Sequence, residues 1–393
     1  MKSDVLKVLI VDDSDAYRGL LCEVLTSIEG AEVVAAVSSG RLALGRLKQT
    51  PVDMVLLDIE MPFMDGVEVL ERIRESYPDI GVVMVSAFHY DGTDKVIKAL
   101  EMGALDFVSK VGMDDDGADT ILGIRRRLTM LMGLFRARRN ARFAKQLSGE
   151  GVSRSNAVTE RRITKSRSFP ELGKATGHHR SEPVPRRPVT ATQKIELVAI
   201  GVSTGGPNAL TKVIPMLPND LGTPILLVQH MPAILTASLA DSLNKKSAVR
   251  VQEAIDGEEI VPNTVYLAPG GRHMTVTRKK SFSHTAQSKQ IRLNDGPPVN
   301  SCRPSVDVLF RSILDSYDGT VLAVIMTGMG SDGAEGVRAL KGKNCYCLAQ
   351  SEDSCVIYGM PRAIDEAGLS DESVALDYMA ERIVQLVKGP GRE

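Results

Sequence analysis

Two sets of residues in this chain have types and spacings that could do chemistry. The first is acidic: Asp12 and Asp13 follow the apolar run KVLIV, and Asp58 closes the run DMVLL. If these runs are neighbouring parallel strands, the three carboxylates share the crevice at the strands' carboxyl ends, where open α/β sheets hold ligands. Carboxylates so placed repel one another unless a hard cation sits among them, and Mg2+ suits one or two carboxylates completed by water and a phosphoryl oxygen. Ser86 ends a fourth run, VVMVSA, and Lys110 follows a fifth, DFVS. A hydroxyl and an ammonium on that rim are what a phosphorylated aspartate needs for its new oxygens. Read singly, each acid is a helix cap or a solvated loop residue. In strand order, the five residues describe a phosphoacceptor pocket.

The second set is nucleophilic. Ser203 in AIGVSTGGP fits G-x-S-x-G, whose glycines let a strand turn sharply into a helix and lift the serine oxygen clear of the backbone. Glycines and serines also cluster in ordinary turns, so the match depends on what the rest of the chain supplies. A serine needs a base to take its proton, and the base benefits from a carboxylate. His230 ends the buried-looking run PILLVQH, so its ring emerges at the same sheet edge as Ser203, whereas His273 and His284 lie in or near polar, exposed-looking strands. The carboxylate is open between Asp332, in the glycine-rich MTGMGSDGAEG, and Asp307 or Asp295. The order Ser, His, Asp is not that of the α/β-hydrolases. A phosphate-binding reading of GVSTGGP is the weaker alternative, because no lysine follows the glycines as a P-loop demands.

The elements that must position these residues follow from periodicity. From Lys7 to about Leu134, strand-like runs alternate with segments of helical length, which predicts a doubly wound, five-stranded parallel sheet with helices on both faces. From Lys194 the alternation resumes through IELVAIGV, PILLVQH, NTVYLA, HMTVT, QIRLN and TVLAVIMTG, and LDYMAERIVQLVK reads as a closing amphipathic helix. The expected domains are 1–135, a linker over 136–193, and 194–393 with a Rossmann-like, mostly parallel sheet. Between Arg136 and Thr190 the chain has 14 Lys plus Arg against 4 Glu and no Asp, a local charge of +10. With its Ser, Pro and Gly this reads as a solvated linker, and it lacks the aromatic residues that would stack on bases.

Length and composition agree. A chain of 393 residues, 43% hydrophobic, exceeds what one core usually supports. A net charge of −1 gives no bulk steering toward nucleic acid or anionic lipid. The longest apolar runs are too short for a bilayer, and acids interrupt the start of the chain where a signal peptide needs an uncharged stretch, so a cytoplasmic protein without membrane insertion is expected. Of five cysteines, Cys345 and Cys347 are spaced C-x-C, but no second pair completes a zinc site, and buried apolar roles are expected.

Residues 7 to about 130 resemble response-regulator receiver domains. That resemblance implies phosphorylation at Asp58, Mg2+ held by Asp12, Asp13, Asp58 and the backbone carbonyl of Glu60, sensing by Ser86 and Lys110, and Phe107 as the aromatic that changes rotamer. One departure is Val111, where receivers usually carry proline after the lysine. Residues 194 to about 388 are similar to the catalytic domain of the chemotaxis protein-glutamate methylesterases, through GVSTGGP, VQHMP, LAPGGRHM, PPVNSCRPSVDVLF, TGMGSDGA and CVIYGMPRA. By that similarity Ser203 is the nucleophile, His230 the base and Asp332 its orienting partner, with Thr204 and the amide of Met329 stabilising the oxyanion and no cofactor at the hydrolase site. The family demethylates glutamate methyl esters of chemoreceptors, releasing methanol, and its repertoire includes deamidation of receptor glutamines. The partners implied are methylated receptors as substrate and a histidine kinase as phosphoryl donor. The competing readings are a regulator with a non-catalytic binding output, to a receptor complex or nucleic acid, and a serine hydrolase of another ester. No helix-turn-helix pattern supports a nucleic-acid partner.

Overall fold

A computed structural model of the chain describes residues 5–86, 92–110, 120–147, 194–279 and 288–389. Val111, His284 and most of the basic segment lie outside these residues.

The first unit alternates strand and helix: β1 (Leu6–Val11), α1 (Asp15–Thr26), β2 (Ala31–Val37), α2 (Gly40–Gln49), β3 (Met54–Asp58), α3 (Gly66–Ser76), β4 (Gly81–Ser86), α4 (Thr93–Glu101), β5 (Asp106–Ser109) and α5 (Thr120–Leu147). The strands form one five-stranded sheet in the order β2-β1-β3-β4-β5, every pair parallel. Every residue of β3 and β4 is buried, as expected of central strands covered on both faces, which is why they read as unbroken apolar runs. Helix α5 runs through position 135 into the basic segment.

The second unit contains β6 (Ile195–Val202), α6 (Gly206–Val213), β7 (Ile225–Gln229), α7 (Ala233–Lys246), β8 (Arg250–Glu253), β9 (Thr264–Leu267), β10 (His273–Arg278), β11 (Lys289–Asn294), α8 (Val306–Ser316), β12 (Thr320–Ile325), α9 (Ala334–Lys341), β13 (Cys345–Gln350), α10 (Met360–Glu366), β14 (Glu372–Val374) and α11 (Leu376–Lys388). Seven of these strands form a parallel sheet in the order β14-β13-β12-β6-β7-β9-β8. The runs HMTVT and QIRLN do not join it. They make a separate antiparallel hairpin, β10 with β11, whose Met274, Val276 and Ile291 share an apolar cluster with Leu309, Phe310 and Ile313 of α8. Strands β8, β13 and β14 escaped the sequence reading. β8 and β14 are only 4 and 3 residues long, and β13, CYCLAQ, has neither β-branched residues nor period-two alternation.

The two units pack against each other through α4, which lies on α6 and α7. A continuous apolar cluster joins Ile97 and Leu100 of α4 to Leu210, Leu235 and Leu239. Around it, the Glu101 carboxylate accepts from Ser242 Oγ at 2.7 Å and Lys246 Nζ at 2.5 Å, while its backbone carbonyl accepts from Asn208 Nδ2 at 2.5 Å. Ser238 Oγ donates to Thr93 Oγ1 at 3.1 Å.

Phe310, fully buried between α8 and the second sheet, tests the core. Truncating it removes dozens of contacts and leaves a cavity, so Phe310→Ala is expected to destabilise the second unit by about 3–5 kcal/mol. Urea unfolding followed by circular dichroism would show this as an earlier transition.

Candidate active site

In the first sheet, parallel register brings the expected residues to one edge. Asp12 follows β1, Asp58 and Ser86 end β3 and β4, and Lys110 follows β5, its backbone N–H donating to the Ser86 carbonyl at 2.7 Å. One oxygen each of Asp12, Asp13 and Asp58 lie within 4.8 Å of one another. Asp12, Asp58, Ser86 and Lys110 are buried, whereas Asp13 and Glu60 are exposed. The Lys110 ammonium stands 2.7 Å from Asp12 Oδ2 and 2.8 Å from Asp58 Oδ2. Burial disfavours its charge, but the two carboxylates outweigh that and raise its pKa. Burial, helped by the Asp12 charge, pushes the Asp58 carboxyl up to about 6 against the pull of Lys110.

The sequence reading missed Tyr17, whose ring lies 4.8 Å from Lys110 Nζ and whose hydroxyl donates to the Lys110 carbonyl at 2.7 Å. It also gave no role to Asp106, beside the buried Phe107. Arg127 donates to both carboxylate oxygens of Asp106 and lies over the Phe107 ring at 5.7 Å.

These residues fit a hard cation. The donors are all carboxylate oxygens, and three carboxylates gathered within 4.8 Å face a single ammonium, Lys110, 2.7 and 2.8 Å from Asp12 and Asp58. A cation would offset the remaining negative charge.

In the second sheet, strand order reverses direction at β6, with β7 on one side and β12 on the other. This is the crevice position of open α/β sheets. Ser203 directly follows β6 and His230 directly follows β7. The last residues of those strands, Val202 and Gln229, are in register, and the His230 N–H donates to the Val202 carbonyl at 3.1 Å. Gln229 Nε2 donates to the Ser203 and His230 carbonyls, both at 3.0 Å, fastening the two loops together. The loop after β12 packs so tightly on Ser203 that a Cβ at Gly328 would come within 2.7 Å of the serine Cβ. A Cβ at Gly359 would meet the Gly328 carbonyl at 2.7 Å, so glycine is required at both contacts.

Asp332 is 2% exposed and fully engaged. Its Oδ2 is 2.8 Å from His230 Nε2 and accepts from the Val306 N–H at 2.6 Å. Its Oδ1 accepts from Asn300 Nδ2 at 2.9 Å, Ser305 Oγ at 2.8 Å and the Asp307 N–H at 3.2 Å. Burial opposes its charge, yet the bonds from His230, Asn300 and Ser305 hold its carboxyl down to about 2. Burial likewise opposes charge on His230, but the bonds with Asp332 and Cys302, and then the charges of Cys302 and Asp332, push its ring up to about 9. The ionised carboxylate fixes a proton on Nε2 and leaves Nδ1 facing Cys302 Sγ at 3.5 Å. Ser203 Oγ makes no hydrogen bond among the described residues. Thr204, the next residue, instead donates through Oγ1 to Asp106 Oδ2 of β5 at 3.3 Å, so the first unit touches the crevice itself. Met329 is partly buried in the loop after β12, within 3.1 Å of a Cβ built at Gly359.

The competing residues separate cleanly. His273, expected in an exposed strand, is instead buried at 2% exposure, because β10 turns that side chain toward α8. Its Nδ1 accepts from the Ser305 N–H and its Nε2 meets the Pro297 carbonyl. Asp307 is buried but binds the Gly333 and Gly336 amides and Asn300, not His230. Asp295 pairs with Arg272. Cys345 and Cys347 are buried in β13. Asn300 and Cys302 were legible only as part of the block PPVNSCRPSVDVLF.

Residues 198–383 match the CheB methylesterase family and residues 8–121 match the response regulator receiver domain. A protein-glutamate methylesterase/protein-glutamine glutaminase of Desulfotalea psychrophila is 40% identical over 98% of this chain and 99% of its own. A protein of the same name from Halalkalibacterium halodurans is 37% identical over 98% and 99%. The crystal structure of the Thermotoga maritima CheB methylesterase catalytic domain is 36% identical, covers 49% of this chain and 100% of that one, and aligns with a TM-score of 0.47. Among the described residues no helix is long and apolar enough to cross a membrane.

The electrostatics of the His230–Asp332 pair can be measured directly. A histidine NMR titration is expected to place the His230 transition near pH 9. In Asp332→Asn the Asp332 contributions are lost while burial still lowers and Cys302 still raises the ring, so the transition moves down from about 9. An unshifted ring would disprove the coupling.

Proposed function

The chain belongs to the CheB methylesterase family, with a response regulator receiver on the same polypeptide, and from that premise we propose a phosphorylation-controlled serine esterase acting on methylated chemoreceptor glutamates. The observation that carries the reading is the buried, ionised Asp332 bonded to His230 at the sheet edge that also bears Ser203. Residues 1–135 act as the receiver, 136–193 as a basic linker and 194–393 as the catalytic domain, in the cytoplasm.

The Ser203 hydroxyl attacks the ester carbonyl and passes its proton to His230 Nδ1, the ring nitrogen that Asp332 leaves over. Asp332 holds the ring and stabilises the imidazolium. The oxyanion is met by the Met329 amide and by Thr204 once its hydroxyl has left Asp106. The imidazolium returns its proton to the departing methoxide, methanol leaves, and water resolves the acyl-serine by the same relay to free carboxylate. A glutamine side chain follows the same course with ammonia leaving. Because His230 is basic only when neutral, activity rises with pH toward about 9.

Asp58 is the phosphoacceptor and a histidine kinase the donor. Asp12, Asp13, Asp58 and the Glu60 carbonyl would hold Mg2+, which when bound offsets the charge of the phosphoryl oxygens. Ser86 and Lys110 receive those oxygens, and Phe107 responds by changing rotamer. The Thr204–Asp106 bond and the α4 interface support a docked receiver that restrains the crevice until phosphorylation. A switch of this kind needs only a few kcal/mol of differential contact.

Methanol release from methylated receptor membranes tests both halves. Ser203→Ala is expected to lose about 10⁴-fold or more in kcat; near wild-type turnover would remove Ser203 from the mechanism. A small-molecule phosphoryl donor is expected to raise the wild-type rate and leave Asp58→Asn unchanged. Glu101→Ala, which removes the carboxylate holding Ser242 and Lys246, should raise the basal rate without a donor. Equal rates in all three proteins, with and without donor, would reject receiver control.

A further inference from the structure

We propose that His230 Nδ1 and Cys302 Sγ form a binding point for a thiophilic, tetrahedral cation of the zinc class, and that its arrival silences the esterase. Zinc bonds thiolate sulfur at about 2.3 Å and imidazole nitrogen at about 2.0–2.1 Å, so two tetrahedral ligands stand about 3.5 Å apart. The two atoms here are 3.5 Å apart.

The tautomer is also prepared. Histidine ligands of metals usually give their other N–H to a carboxylate, which fixes the ring and raises its basicity. His230 Nε2 has such a partner in Asp332 at 2.8 Å, so in the neutral ring the lone pair sits on Nδ1, toward the sulfur. The thiol is held by a two-residue turn. Val299 and Cys302 exchange backbone bonds of 3.0 and 2.9 Å, and Asn300 and Ser301 between them have φ of 53° and 60°. Asn300 then ties the turn to Asp332. Both donor atoms are therefore anchored to one carboxylate, and little reorganisation is needed to bind.

His230, Cys302 and Asp332 offer ligand atoms all within 4.8 Å of one another, and the first two are partly exposed to the crevice. Asp332 is already occupied by its own donors, so it acts behind His230, and water or the Ser203 hydroxyl completes the coordination. Mg2+ is excluded by donor type, since it seeks oxygen. On binding, the Cys302 thiol and, below about pH 9, the His230 imidazolium each release one proton to buffer, the thiolate and Nδ1 coordinate, and no electrons are exchanged. An Nδ1 lone pair held by the metal cannot accept the serine proton. The silencing, but not the binding, rests on His230 being the base.

The full-length protein is titrated with Co2+ as a spectroscopic probe, and methanol release is followed with Zn2+ and then chelator. Wild type is expected to develop a thiolate-to-cobalt charge-transfer band and to lose its esterase reversibly in Zn2+. Cys302→Ala and Cys302→Ser are expected to lack the band and to keep their metal-free rate when Zn2+ is added. Asp332→Asn should keep the band with affinity weakened about 10–100-fold. No band in wild type, or the same band in both Cys302 variants, overturns the site. A Cys302-dependent band without inhibition upholds the site and instead overturns the role of His230 as base.

Discussion

The crevice of the second unit depends on one buried negative charge. A carboxylate withdrawn from water costs several kcal/mol unless its lone pairs are met. Asp332 is met by a turn through Asn300, by the start of α8 through Ser305, Val306 and Asp307, and by His230 after β7. Two of these donors are backbone amides at a helix N-terminus, where a negative charge is favoured. The loop after β12, the segment before α8 and the loop after β7 thus share a single electrostatic centre. Without it, three chain segments would have no common reason to meet, and His230 would have neither a fixed tautomer nor its raised basicity.

What could be read from the sequence was whatever periodicity and strand ends dictate. The apolar runs before Ser203 and His230, and those before Asp12 and Asp58, are buried parallel strands. Residues just past such strands share an edge by geometry alone, which is why both clusters were legible. Which carboxylate meets His230 was not, because Asp332 and Asp307 are both buried within the same few ångströms and only side-chain direction separates them. His273 misled for a related reason: a polar-looking hairpin gave no sign that one side chain turns inward to cap Ser305. Cys302 and Asn300 owe their positions to left-handed backbone at Asn300 and Ser301, and Asn-Ser is a weaker turn signal than Asn-Gly. Strands β8 and β14 were too short to show a period.

Contacts between the two units combine both kinds of force. Ile97 and Leu100 against Leu235 and Leu239 supply non-directional apolar attraction, and Glu101 with its three partners fixes the orientation. In the Lys246–Glu101 pair the lysine is exposed and the glutamate side chain buried, so the apolar part supplies non-directional attraction and the polar part fixes the register.

The hydroxyl of Thr204 points to a further consequence. While it donates to Asp106, it is spoken for, and any guest in the crevice that recruits it must first take it from the neighbouring unit. Mutual exclusion of that sort is reciprocal by thermodynamic necessity. Whatever loosens the receiver admits the guest, and an abundant guest equally loosens the receiver. Occupancy of the crevice and docking of the first unit thus converge on one shared proton, that of the Thr204 hydroxyl.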